Sequence, residues 1–217
     1  MKERFRQLRI AFNNTLGFIG DIVFLNLLFL VCSLPLFTIG AAATACYAGV
    51  CRTLQKKETG LVFRAFFADF RAAFRQATAG WLLQLLAFAI FAGDIWFATV
   101  YSEPDNKFFL IFAIVVGAGI LLASLWFYPL VARFQNKLGV QIKNAFLLAF
   151  AQLPRTILAL LVWAVVLGLP FFAFDIFMYF GWLWLLGGVS LPTYLTVKIF
   201  RKSLQLDKAL EEVSLED

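Results

Sequence analysis

The side chains that could do chemistry in this chain are few, and their types exclude most reaction classes. No histidine occurs among its 217 residues, which removes the commonest general base and the commonest metal ligand. Cys32, Cys46 and Cys51 form no C-x-x-C pair and fall in one apolar stretch, where they read as small buried hydrophobes and not as a redox or metal set. There is no Walker-type G-x-x-x-x-G-K, no G-x-G-x-x-G and no nucleophile with an imidazole base. The expectation is no enzyme, with no catalytic residue, no cofactor and no metal. What remains are polar groups inside apolar stretches, which are costly there and are functional candidates by default. These are Asp21, Asn26, Tyr47, Arg52, Asp94 and Asp175. Asp21 reads either as a paired structural charge or as a proton or substrate site. Asp94 reads as structural, as part of an outward-facing cavity, or as simply close to the membrane surface. Gln84, Ser124, Ser190 and Thr193 read as interhelical hydrogen-bonders.

The elements that must position these groups follow from composition. Hydrophobic residues make up 62% of the chain, charged residues 15%, and the mean hydropathy is +0.85. A soluble chain is nearer 45–50% apolar and about 25% charged, so a water-soluble globule is excluded. The 27 Phe and 6 Trp suit lipid and its interfaces. The expected fold class is all-α, a polytopic membrane helical bundle.

A crossing helix needs roughly 17–25 apolar residues. Gly80 to Tyr101 and Phe108 to Leu130 qualify, separated by the polar turn Ser102 to Lys107; a second pair runs from Thr156 to Phe172 and from Ile176 to Val197, with Asp175 near its turn. Phe18 to Val50 is too long for one span, and Pro35 and Gly40 sit in its middle where a reversal is expected. If the chain reverses there, 18 of the 19 basic residues collect on one side and only Lys107 lies opposite. The positive-inside rule then predicts about six short spans in three hairpins, both termini cytoplasmic. The net charge of +6 is thereby topological: attraction to the lipid bilayer explains it, and no nucleic acid is expected. A cleaved leader is the rival for the N-terminus, with Lys2 to Arg9 as its charged region and Ala41, Ala42 and Ala43 as the cleavage site. The apolar stretch is too long for that and contains Asp21 and Asn26.

The expected organisation is one integral membrane domain, 1–217. It comprises a basic interfacial segment 1–16, a first hairpin 17–52, an amphipathic interfacial helix 60–76 and a second hairpin 79–131. A second interfacial helix 139–153, a third hairpin 155–199 and a cytoplasmic tail 200–217 follow. At 100° per residue Phe63, Phe66, Phe67, Phe70 and Phe74 share a stripe beside Arg64, Arg71 and Arg75, which suits a helix lying among headgroups or one packed on the bundle. Lys143 marks the weaker second copy, and Phe5, Leu8 and Phe12 a third. The spans that end inside carry Tyr47-x-x-Val50, Tyr128-x-x-Val131 and Tyr194-x-x-Val197, the signature of a weak hairpin repeat.

A tight turn centred between Leu36 and Phe37 sets Asp21 at the depth of Arg52 and Asn26 at that of Tyr47. Ala41, Ala45 and Gly49 form a small-residue stripe that lets the second helix approach its neighbours. Gly187, Gly188 and Pro192 interrupt the last span. A broken helix at membrane depth marks either a packing kink or a transporter site.

The run Leu25 to Ala41, with its Cys32-Ser33-Leu34-Pro35-Leu36-Phe37-Thr38-Ile39-Gly40 core, resembles the opening of the YesL-like family of bacterial integral membrane proteins. So do Phe63-Arg64-Ala65-Phe66-Phe67-Ala68-Asp69-Phe70, Tyr128-Pro129-Leu130-Val131-Ala132-Arg133-Phe134, Lys143-Asn144-Ala145-Phe146 and Leu153-Pro154-Arg155-Thr156. The resemblance implies a bacterial plasma-membrane protein of unknown activity, whose genes often lie beside carbohydrate ABC transporters and sugar-responsive two-component systems. The role expected on that basis is accessory to carbohydrate uptake or sugar sensing, with a sugar ABC permease or a sensor kinase as partner. A small solute transporter or channel is the alternative, and lipid or membrane-shape binding a third class.

Overall fold

The computed structural model describes residues 2–55, 62–101, 108–172, 175, 178–179 and 181–206, with side chains from Leu16 onward except at positions 98, 101, 108–110 and 171. Lys56, Lys57, the Ser102 to Lys107 turn, the tail beyond Leu206 and the side chains of Phe5, Leu8 and Phe12 lie outside the described residues. The described chain is all-helical. The helices are α1 (Lys2–Cys32), α2 (Ile39–Leu54), α3 (Val62–Tyr101), α4 (Phe108–Arg133), α5 (Leu138–Ala151), α6 (Leu153–Phe172), α7 (Trp182–Gly187) and α8 (Ser190–Phe200), with a 3₁₀ turn at Leu36–Thr38 between α1 and α2. Three of them, within α3, α4 and α6, are long and apolar enough to cross a membrane.

α2 is the centre of the bundle, packed against α1, α3, α4 and α8. Its sequence is mostly Gly, Ala, Cys and Thr, so backbones can approach it from every side. Ala41 and Ala45 are fully buried. A Cβ on Gly49 would stand 2.5 Å from Leu25, and one on Gly40 would stand 2.4 Å from the Ala77 carbonyl oxygen and 2.7 Å from Trp81 Cβ. The expected small-residue stripe is thus a contact surface. α3 and α4 meet at Gly80, where a Cβ would stand 2.2 Å from the Phe127 ring.

Several expected boundaries are corrected. From Lys2 on, the segment expected at 1–16 is the N-terminal half of α1 and not a separate element. From Val62 on, the segment expected at 60–76 and the third span are one 40-residue helix. The residues between them, Ala72, Ala73, Gln76, Ala77 and Ala79, are strong helix formers and nothing there breaks the helix. The five-Phe stripe divides: Phe66 is fully buried, with Phe70 and Phe74 packed on the core, whereas Phe63 and Phe67 stay exposed with Arg64, Arg71 and Arg75. α5 buries Gln141, Ala145 and Ala149 and exposes Lys143, Phe146, Leu147 and Phe150. Residues 200–206, expected in a tail, belong to the core. Phe200 stacks on Trp126 with centroids 3.7 Å apart, and Leu204 and Leu206 are buried. A left-handed Gln205 (φ 53°) ends this segment. The amide of Leu206 reaches back to the Arg201 carbonyl and that of Gln205 to Lys202, so the carbonyls just past α8 have partners.

Candidate functional site at the helix break

The last apolar helix is interrupted between Gly187 and Ser190. The Gly188 amide still closes on the Trp184 carbonyl at 2.8 Å, and regular helix resumes with Thr193 donating to Val189 at 3.0 Å. Pro192 lies in the first turn of α8, where a missing N–H costs no helical bond. The two glycines, not the proline, coincide with the break. A Cβ on Gly188 would stand 2.7 Å from the Trp184 carbonyl oxygen and 2.5 Å from its indole.

Asn26, fully buried on α1, closes that gap. Its Nδ2 donates to the Leu185 carbonyl at 2.8 Å and to that of Trp184 at 3.1 Å. Its Oδ1 accepts from the Val189 amide at 2.8 Å and the Ser190 amide at 3.1 Å. A primary amide has two donors and two acceptor sites, and all four are used on one helix break. Asn26 is therefore not given to Tyr47, as equal depth suggested. Tyr47 is buried beside Trp163 and Thr196, where the Trp163 indole donates to the Thr196 hydroxyl at 3.1 Å. The register drawn from the turn is nevertheless close, since Leu25 packs on Gly49. Depth and facing direction are separate questions, and sequence spacing answers only the first.

The same distinction overturns the expected Asp21–Arg52 pair. Arg52 forms its ion pair with Asp69 of α3, the two side chains 23% and 27% exposed. Asp21 is half-buried and makes no ion pair among the described residues. The Arg52–Asp69 pair ties the last turn of α2 to α3 across the segment that joins them. Half-screened as it is, its coupling should be about 1 kcal/mol. In a double-mutant cycle Arg52→Gln and Asp69→Asn should therefore be coupled, while Arg52→Gln and Asp21→Asn should add. Detergent melting of the single and double variants checks both, and non-additivity at Asp21 would reinstate the first pairing.

Other cations sit near the same end of the bundle. Arg133, in the last turn of α4, donates through Nε to the Leu204 carbonyl at 3.3 Å. Arg155 Nη1 donates to Gln152 Oε1 at 2.8 Å and to Ser203 Oγ at 3.2 Å, and Ser203 Oγ donates to the same Gln152 oxygen at 2.6 Å. These contacts hold the 200–206 segment in place.

Asp94 and Asp175 are exposed on the helix surface. Gln84 does link helices, accepting from Tyr128 Oη at 2.6 Å. Ser124 instead donates to its own helix, to Ile120 at 2.8 Å, an alternative that hydroxyls commonly take in helices, whereas Thr193, which donates to Val189 at 2.7 Å, also meets the Cys46 side chain of α2 and so links helices as expected. Sequence reasoning missed Asp69, Gln141, Thr156 and Trp81. Gln141 reaches the Leu130 and Phe134 carbonyls, the Trp126 indole donates to Thr156 Oγ1 at 2.9 Å, and the Trp81 indole donates to the Leu36 carbonyl at 2.9 Å. No spacing rule announces these, because each joins one helix to another element and depends on how the two pack. In the Tyr-x-x-Val triplets all three valines are buried, but Tyr128 bonds Gln84 and Tyr194 packs on Phe18, so the tyrosines share no common partner.

Among the described residues no group of three His, Cys, Asp or Glu could hold a metal. A cleft of about 170 Å³ between α3, α4 and α5 is lined by Leu83, Ala87, Ile120, Phe127 and Phe146, with Gln84 and Ser124 among them. Its walls can take a hydrocarbon chain and offer no general acid, base or nucleophile.

These features define an all-helical protein of membrane type with a tightly packed central helix. Residues 22–95 match the model of the family described as a protein of unknown function, DUF624, the family that includes YesL, so the YesL-like resemblance holds over this segment. The segment contains Asn26, the first turn, α2, the Arg52–Asp69 pair and Trp81. No curated protein and no solved structure matches the chain.

Proposed function

We propose that this is a non-enzymatic integral protein of a bacterial plasma membrane, with both termini cytoplasmic, serving as an accessory to carbohydrate uptake or sugar sensing. The observation that carries the non-transporting reading is Asn26. A broken helix at membrane depth is where a solute site would be built, and here the break is occupied by one side chain whose four hydrogen-bonding positions are all taken by backbone. The carbohydrate setting rests on the YesL-like resemblance, with a sugar ABC permease or a sensor kinase as partner. The orientation rests on charge: three helical pairs that open to one side put 18 of 19 basic residues there. Six short spans meet that condition, with Ser33 to Gly40, Ser102 to Lys107 and the stretch around Asp175 outside. An arrangement in which the first pair turns back within the bilayer meets it equally.

One observation favours the transporter alternative. Ser190 Oγ and Trp184 Nε1 are buried at the break without hydrogen-bond partners among the described residues. Reconstitution into vesicles separates the two readings. The accessory reading expects no sugar or proton flux from the protein alone and copurification with permease or kinase subunits; flux by the purified chain overturns it.

A further inference from the structure

The first turn is not built like a turn that meets water. Its outward residues are Leu34, Leu36 and Phe37, exposed by 79%, 74% and 52%. Its two hydroxyls and five of its carbonyls are tied back into the protein, while the Ser33 and Leu34 carbonyls and the Leu36 and Phe37 amides have no partner among the described residues. Ser33 Oγ donates to the Leu30 carbonyl at 3.0 Å, Thr38 Oγ1 reaches the Cys32 and Pro35 carbonyls, the Leu34 amide bonds Val31 at 3.4 Å, and the Trp81 indole takes the Leu36 carbonyl at 2.9 Å. The carbonyls of Leu30, Val31, Cys32, Pro35 and Leu36 thus all have partners within the protein. In water a turn needs no such arrangement, because solvent satisfies it. In hydrocarbon, irregular backbone persists only where the protein itself satisfies it.

Depth agrees. α2 has 16 residues, roughly 24 Å of helix, short of the ~30 Å hydrocarbon core. Trp81, against which the turn rests, lies about 9 Å of helical rise beyond Arg75 and about 30 Å short of Tyr101 on α3. The turn therefore reaches only as far as the start of the apolar half of α3, while α3 and α4 continue past it, with Phe91 still packed near Gly117.

We propose that the α1–α2 hairpin is re-entrant: it enters and leaves on one face, and Leu34, Leu36 and Phe37 at its apex contact acyl chains of that leaflet. The side it enters from is the cytoplasmic one assigned above. The depth of its apex does not depend on that assignment. Re-entry leaves the charge distribution intact, since zero crossings and two crossings place Arg52 to Arg75 on the same side as the N-terminus.

A spin label on Leu36→Cys, in a chain whose Cys32, Cys46 and Cys51 are replaced by alanine, reads the depth in vesicles of phosphatidylethanolamine and phosphatidylglycerol. Collision with oxygen should exceed collision with a water-soluble nickel chelate, and an impermeant maleimide should leave Leu36→Cys unlabelled from either side until detergent is added. Nickel-dominated relaxation, or labelling as fast as at Asn106→Cys, overturns the proposal. Asn106→Cys labelled only from the cytoplasmic side would overturn the orientation instead. If the cysteine-free chain does not fold, Leu36→Lys in the otherwise unaltered protein decides: it should lose most of the folded yield while Gln135→Lys, in the exposed connection after α4, keeps it. Unchanged yield and melting for Leu36→Lys places the turn in water.

Discussion

Asn26→Leu should be among the most damaging single substitutions in this protein. The leucine leaves the Leu185 carbonyl and the Val189 and Ser190 amides without their partner, while the Trp184 carbonyl keeps the Gly188 amide. A buried backbone group left unpaired costs about 1–3 kcal/mol. Partial relaxation and a trapped water would recover some of that, so a loss on the order of 3–5 kcal/mol is expected. The protein should express poorly or melt far below the wild type in detergent, and hydrogen exchange at Val189 and Ser190 should accelerate first. Asn26→Asp keeps the acceptor and removes the amide donors, so it should fall between the two. A melting temperature for Asn26→Leu within a degree of wild type would show that the break holds its shape without α1.

The glycines of the interhelical contacts should rank by what a new methyl group meets. At Gly40 it meets the Ala77 carbonyl oxygen at 2.4 Å and Trp81 Cβ at 2.7 Å, atoms that cannot move unless α2 and α3 separate. Gly40→Ala should therefore cost about 3 kcal/mol or more, at the top of the usual overpacking range. At Gly80 the obstacle is the Phe127 ring at 2.2 Å, and at Gly49 it is the tip of Leu25 at 2.5 Å. Both are side chains that can shift, and about 1–3 kcal/mol is expected at Gly80 with less at Gly49. Gly93→Ala and Gly139→Ala meet nothing within 4 Å, and each lies within a helix, where alanine is favoured over glycine by about 0.5–1 kcal/mol. Thermal melts of the five variants test the ranking. A Gly40→Ala protein as stable as Gly93→Ala would mean that α2 and α3 do not pack this closely.

Composition and periodicity by themselves determined the all-helical membrane class, because a chain this apolar cannot cover itself with polar surface. They determined the reversal near Pro35 and the break at Gly187 and Gly188, because backbone restrictions are local and legible residue by residue. They also determined the depth register of the first hairpin, since rise per residue is constant from a known turn. Tertiary structure alone decided which way each polar side chain faces. Arg52 turns to Asp69 and not to Asp21, and Asn26 turns to a break some 160 residues away and not to Tyr47. A pair of residues at one depth can lie on different faces of their helices, and the azimuth depends on how the third and later helices pack. The same holds for where elements end. Arg75 and Gly80 suggested a boundary between an interfacial helix and a span, yet alanine-rich helix carries straight through it. Phe200, Leu204 and Leu206 read as the start of a tail until Trp126, Arg133 and Arg155 are seen to hold them. Local sequence sets the propensities, but the burial that selects among them comes from partners that the chain brings together only by folding.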